Sequence, residues 1–220
     1  MTKKVLAWHF TDGMKLRDGQ PLKVGKTYKY EGNLKMCVRG YHASVDIQDA
    51  LWFAPGFQVS RVECSGDMEQ DERKLVCRNR KVLWTLDAKK IILAWSIRVA
   101  TDAVKTTKKV CNDKAWNAWA DLWIRGKDRT YVAANAAYSA ANTAAYFAYS
   151  AANAAAYASA AAYASASAYA AAYASATAAA YAAYAAASAA NAADREKAKK
   201  KYAGWLVTAI EKAAKREARK

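Results

Sequence analysis

The sequence predicts an α+β fold: a small N-terminal α+β domain followed by an alanine- and tyrosine-rich α-helical bundle or hairpin array. Three observations predict it. Short apolar runs with two-residue alternation and glycine punctuation fill the first hundred residues, the pattern of strands and turns. A tryptophan stripe at helical spacing follows. A long stretch of alanine and tyrosine without charge, glycine or proline then runs to a basic C-terminal segment. The boundary is drawn at residue 104, giving domains 1–104 and 105–220 of the 220-residue chain.

In chain order, KVLAWHF reads as a strand closed by the turn Thr11-Asp12-Gly13, and LKVGKTYKYEG and MCVRGYHAS carry two more strands. VDIQDALWFAPG reads as a short helix with Ser44 as N-cap and Ala50, Leu51 and Phe53 on its apolar side, stopped by Pro55-Gly56. In FQVSRVECSG, Val59, Val62 and Cys64 do not share one parity, so a bulge or burial on both faces is expected. GDMEQDERK reads as a charged turn and KLVCRNRKVLWTL as the next strand, with Asp87 capping a helix from Ala88 to about Val99.

NDKAWNAWADLWIRG places Trp116, Trp119 and Trp123 on one helix face, between a cap at Asn112 or Asp113 and an end at Gly126. Helix is predicted from about Val132 to Ala193. AAYSAANTAAY and FAYSAANAAAY form an eleven-residue repeat, and eleven residues close three turns at about 3.67 residues per turn. Tyr138, Tyr146, Tyr149 and Tyr157 therefore share one stripe, while Tyr169, Tyr173, Tyr181 and Tyr184 form a second one roughly opposite. A break between Ser159 and Ser167 would let both stripes face a common core. The last helix, capped by Asp194, presents Trp205, Leu206 and Ile210. The residues expected to pack helices are Trp116, Trp119, Trp123, Tyr138, Tyr149, Tyr157, Tyr173, Tyr184 and Trp205.

The formal charge of +16 suits a nucleic acid or an acidic partner. Lys199, Lys200, Lys201, Lys215, Arg216, Arg219 and Lys220 are the phosphate or acidic-partner candidates. Asn, Ser and Thr recur through the alanine run, so a membrane span is not expected. MTKKVLAWHF has only a very short apolar stretch and no two of the four cysteines stand at CxxC spacing. A cytoplasmic protein with free thiols is expected. A zinc site from Cys37, His42, Cys64 and Cys77 lacks paired spacing, so no metal and no cofactor is expected. Isolated Thr143 and Thr177 and the bulky tyrosines argue against the regular threonine face of the alanine-rich antifreeze helices that the repeat resembles.

His9 in WHFTDG, the aromatic Tyr41 and a later Glu resemble the layout of ADP-ribosyltransferases. The resemblance implies that His9 and Tyr41 hold NAD, with Glu63 or Glu72 stabilising the oxocarbenium-like state. Gln70-Asp71-Glu72 matches the family's Gln-x-Glu spacing, whereas its Ser-Thr-Ser stretch is absent. GYHASVDIQDALWFAPGFQVSRVECSG with KLVCRNRKVLWTLDAKKI resembles an uncharacterised domain of phage and prophage proteins, over about residues 1–100, often followed by repetitive arrays. The alanine-rich array is similar to helical repeats of bacterial immunity-type proteins. Together these readings imply a non-enzymatic, phage-type accessory protein that binds nucleic acid or an acidic host protein through basic surfaces. An NAD-using enzyme and a homo-oligomer joined through its Ala/Tyr-rich helices are the alternatives.

Overall fold

A computed structural model describes residues 3–109, 111–135, 153–158, 160, 174, 177, 178, 181 and 192–219, the side chains of the last segment from Glu196 onward. The elements are β1 (Val5–Thr11), β2 (Thr27–Lys29), β3 (Tyr41–Ala43), α1 (Ile47–Trp52), β4 (Gln58–Gln70), β5 (Leu75–Asp87), α2 (Lys89–Lys108), α3 (Lys114–Ile124) and α4 (Ala192–Glu217). This is an α+β protein: an antiparallel sheet in the N-terminal part and helices in the C-terminal part. The chain forms two compact units, residues 1–89 with 207–220, and residues 90–206. The sequence boundary at 104 falls inside α2.

In the first unit β4 and β5 form a long hairpin, β1 pairs with β4, and β2 and β3 pair with β5, all antiparallel. The pairing also returns to its start. Ser44, directly after β3, exchanges two backbone hydrogen bonds with Trp8 of β1, at 2.7 and 3.0 Å. β1, β4, β5 and β3 thus form a ring of pairings around a buried cluster that includes Ala7, Ala43, Val62, Cys64, Cys77 and Val82. The Trp8–Ser44 bridge covers the outer edges of β1 and β3 where they meet, while β2 stays at the margin of the sheet.

Three expectations change. Asp46, not Ser44, caps α1, its carboxylate accepting Gln48 N–H at 2.6 Å, because Ser44 is already used in pairing with Trp8. Phe53 is 41% exposed while Ala50 and Leu51 are buried. The expected charged turn is mostly strand: β4 runs on to Gln70 past a bulge between Ser65 and Met68, where Gly66 has φ +80. The turn itself is short, with Asp71 Oδ1 accepting Arg73 N–H at 2.8 Å and Lys74 N–H at 2.6 Å. The irregularity expected in FQVSRVECSG is present, as a register shift between Arg61 and Val62.

In the second unit α2 extends past the expected end at Val99, because Ala100, Ala103, Val104 and Thr107 continue the buried stripe of Ile92, Trp95, Ser96 and Val99. Asp87 accepts Lys89 N–H at 2.9 Å at its start. Asp113 caps α3 by accepting Trp116 N–H at 2.6 Å, and Gly126 follows it at φ +69. Trp116, Trp119 and Trp123 are all buried, with successive rings 5.5 and 5.9 Å apart. In α4, Tyr202 O accepts Trp95 Nε1–H at 2.9 Å and Tyr202 O–H donates to Asp102 at 3.0 Å. Trp205 is half-buried with the Arg98 guanidinium 3.9 Å from its ring centroid. Leu206 is fully buried, and Ile210, in the part of α4 that belongs to the first unit, is fully buried too. Residues 131–135 and 153–158 are helical, and Tyr157 stacks on Tyr181 at 5.6 Å. Tyr138, Tyr146, Tyr149, Tyr169, Tyr173 and Tyr184, the helix break expected at 159–167 and the side chain of Asp194 lie outside the described residues.

Candidate functional site

The first unit contains a cavity of about 750 Å³, within the roughly 300–1,000 Å³ of small-molecule sites. β1 brings His9 to it, β3 brings Tyr41 and His42, and β5 brings Arg80. The surrounding loops add Arg17 and Asp18 after β1, Cys37 and Arg39 before β3, and Lys74 at the foot of β5.

Local rules explain each placement. Leu16 and Leu22 are buried, and Tyr28 O–H donates to Pro21 O at 2.6 Å while accepting Lys23 N–H at 2.9 Å. The loop carrying Arg17 is thereby tied to the sheet. The Lys35–Arg39 turn places Cys37 at φ +63, a left-handed conformation that costs a non-glycine residue about 1–2 kcal/mol. Cys37 N–H donates to His42 Nε2 at 2.8 Å, and His42 also hydrogen-bonds the Gly40 backbone. His42 therefore holds the turn as a neutral imidazole. Gly40 sits at φ +105, and a Cβ there would lie 2.6 Å from Val76 Cγ2 and 2.8 Å from Leu34 Cδ2. The GYHAS motif is thus one device: a glycine forced by space, a ring, a turn-holding histidine, a core alanine and the serine that closes the sheet.

The electrostatics are one-sided. Four cations, Arg17, Arg39, Lys74 and Arg80, line the cavity against one carboxylate, Asp18. Asp18 is engaged by Gln20, whose N–H and Nε2–H donate at 3.1 and 3.0 Å. Arg80 is only 3% exposed. It donates to His42 O at 2.9 Å, its Nε has no partner, and among the described residues it has no ion pair. Its guanidinium lies 4.9 Å from the Tyr41 ring centroid, and Lys74 Nζ lies 3.5 Å from that of Phe53. A cation held by a ring keeps its charge for a ligand, where one paired with a carboxylate does not. Arg78 shows the contrast: it grips Asp67 through Nε and Nη2 at 2.9 and 2.8 Å and donates to Tyr30 O at 3.0 Å.

Burial first, and then the Arg80 and His42 charges, hold the His9 imidazole well below the usual histidine value. Its Nδ1 is buried without a partner. Burial lowers His42 too, reinforced by Lys74 and Arg80. Burial raises Tyr41, whose phenol stays protonated.

His9 and Tyr41, the residues the resemblance implies for NAD, both line this cavity. The two glutamates do not line it. Glu63 pairs with Leu6 across β1 and β4 while His9 pairs with Ser60, which puts Glu63 on the opposite face of the sheet. There it bridges Lys4 at 3.0 Å. Glu72 lies exposed in the β4–β5 turn. Cys37 is exposed and Cys64 and Cys77 are buried in the sheet core. No group of three or more His, Cys, Asp or Glu side chains able to hold a metal occurs among the described residues.

Of the phosphate candidates in α4, Lys201 is committed to Asp102 at 2.7 Å and Lys199 bridges Glu196 at 2.9 Å. Lys200, Lys215, Arg216 and Arg219 are exposed. Lys215, Arg216 and Arg219 line a shallow depression with Lys212 and Glu211. Lys220 lies outside the described residues. The sequence expectation passed over Arg17, Arg39, Lys74 and Arg80. The one signal for Arg80 is its place two residues before the inward Val82, a basic residue in core phase.

No curated protein and no solved structure matches the chain. Residues 5–94, which contain every residue lining the cavity, match the model of a family described as Domain of unknown function (DUF7666).

Proposed function

We propose that the protein is a phage-type accessory protein, acting in the host cytoplasm, that binds nucleic acid. Its N-terminal cavity supplies the central phosphate contacts, and Lys215, Arg216 and Arg219 add peripheral ones. The observation that carries this reading is Arg80: a buried guanidinium with an unpartnered Nε, in a cavity of four cations and one carboxylate. Burying a charge without a counter-ion costs several kcal/mol, a cost that an anionic ligand would offset. Arginine forks bind phosphate in a bidentate fashion, and a chain of net charge +16 suits a polyanion.

Fluorescence anisotropy with labelled duplex DNA, single-stranded DNA and RNA, at low and near-physiological salt, tests it. Binding that weakens steeply with salt is the expected result. Absence of binding at low salt would remove nucleic acid and leave an acidic host protein as the target.

A second reading rests on the convergence of His9 and Tyr41 in the cavity: an NAD-using enzyme. It needs a carboxylate that neither Glu63 nor Glu72 supplies there. NAD turnover lost in His9→Ala would support it, and NAD unchanged over a long incubation would sink it. Self-association through the alanine-rich helices is tested by measuring molecular size over a range of concentrations.

A further inference from the structure

We infer that the cavity captures a terminal phosphate, the phosphomonoester at the end of a nucleic acid strand or on a free nucleotide, rather than an internal phosphodiester. The inference rests on the proposed nucleic-acid reading for its polymeric source only; its chemistry comes from the cavity. Depth argues first. The buried polar atoms without partners in the cavity are Arg80 Nε, a donor, and His9 Nδ1, and Arg80 is 3% exposed. An internal phosphodiester has chain leaving it on both sides and cannot be lowered onto a buried donor without burying both flanking nucleotides. A terminal phosphate enters end-on.

Charge argues second. A phosphomonoester carries about −1.5 to −2 at neutral pH and offers three strong acceptor oxygens, where a diester carries a single charge. Four cations against one carboxylate already occupied by Gln20 match the larger charge. The lining supplies cationic donors in excess of its one carboxylate, Asp18: Arg80 from β5, Lys74 at the foot of β5, and Arg17 and Arg39 from two loops. Size argues third. The volume of about 750 Å³ suits one nucleotide and its phosphate.

The rings support the same geometry. Tyr41 and Phe53 are covered by Arg80 and Lys74, at 4.9 and 3.5 Å from the ring centroids. They position cations, so recognition centres on the phosphate and base identity matters little. Indifference to sequence at the bound end is expected.

The test compares one oligonucleotide in four forms, 5′-phosphorylated, 3′-phosphorylated, hydroxyl-ended and circular, with a nucleoside monophosphate as competitor. Wild-type protein is set beside Arg80→Met and the double variant Arg17→Ala/Arg39→Ala, with circular dichroism to confirm folding. A phosphorylated end is expected to bind at least about tenfold more tightly than hydroxyl-ended or circular strands, as charge-assisted hydrogen bonds allow. Both variants are expected to lose that preference, and the monophosphate to compete for the site. Equal binding of all four forms overturns terminal capture and leaves nucleic-acid binding standing. Monophosphate binding without strand binding supports the phosphomonoester site and overturns the polymer. No binding of either overturns both. If Arg80→Met does not fold, the double variant decides, since its residues are exposed loop positions: a preference that survives there overturns the inference.

Discussion

Arg80 carries an uncompensated charge into a low-dielectric site, held by one carbonyl and one ring. Such a residue is held against stability. Replacing a buried charge by an apolar side chain of similar length is neutral or stabilising, so Arg80→Met is expected to raise stability by about 1 kcal/mol while losing ligand. Chemical denaturation of both proteins without ligand checks this; marked destabilisation would show that Arg80 is a structural residue. Gly40 gives the opposite case. Its φ of +105, and the 2.6 Å that would separate a Cβ from Val76, forbid a side chain, so Gly40→Ala is expected to cost about 2–4 kcal/mol. A neutral effect in the same denaturation measurement would contradict the placement of the β3 turn. What sequence could show at this scale was uneven. His9 and Tyr41 stood out as a rare residue and an aromatic in turn motifs. Arg78 and Arg80 read alike in Arg-Asn-Arg, and only the strand faces and the bulge between Ser65 and Met68 decide that one grips Asp67 while the other enters the cavity. Lys74 and Arg17 looked like ordinary loop charges.

At the level of elements, the strands were legible because alternation and glycine punctuation are local. The length of β4 was not, since Asp67, Glu69 and Gln70 mask a strand with solvent-facing polar residues. The end of α2 was hidden because small residues, Ala100 and Ala103, carry its stripe onward. The β3 turn makes a prediction of its own. His9 and His42 are both held below the usual histidine value by burial, whereas in the unfolded chain they titrate near 6.5. Between those values the unfolded chain binds more protons, so their contribution is complete above about pH 6.5 and is lost as pH falls through the folded values. Melting temperature is expected to fall from about pH 6.5 downward, with a smaller fall in His42→Gln; a flat profile in that range would contradict the neutral imidazoles. In α3 the tryptophan stripe was legible and is buried as expected. Trp116→Ala should destabilise the helical unit by about 3–5 kcal/mol, read by thermal unfolding, and a change under about 1 kcal/mol would contradict its burial.

For the whole molecule, net charge of +16 directed attention to the basic C-terminus, and the packing redirects part of it. Lys201 and Lys199 are ion-paired, while the cavity gathers cations that sequence scatters over residues 17–80. Among the described residues no helix is long and apolar enough to cross a membrane. Charge over a whole chain is a sum; binding depends on which charges lack partners. The measurement that tests this most directly is the salt dependence of single-stranded oligonucleotide binding in wild-type protein and Arg80→Met. Each phosphate contact contributes about 0.7 to the slope of log affinity against log salt for single strands. Arg80→Met is predicted to bind more weakly and with a shallower slope, by about one contact. Unchanged affinity and slope would contradict the cavity as the phosphate site.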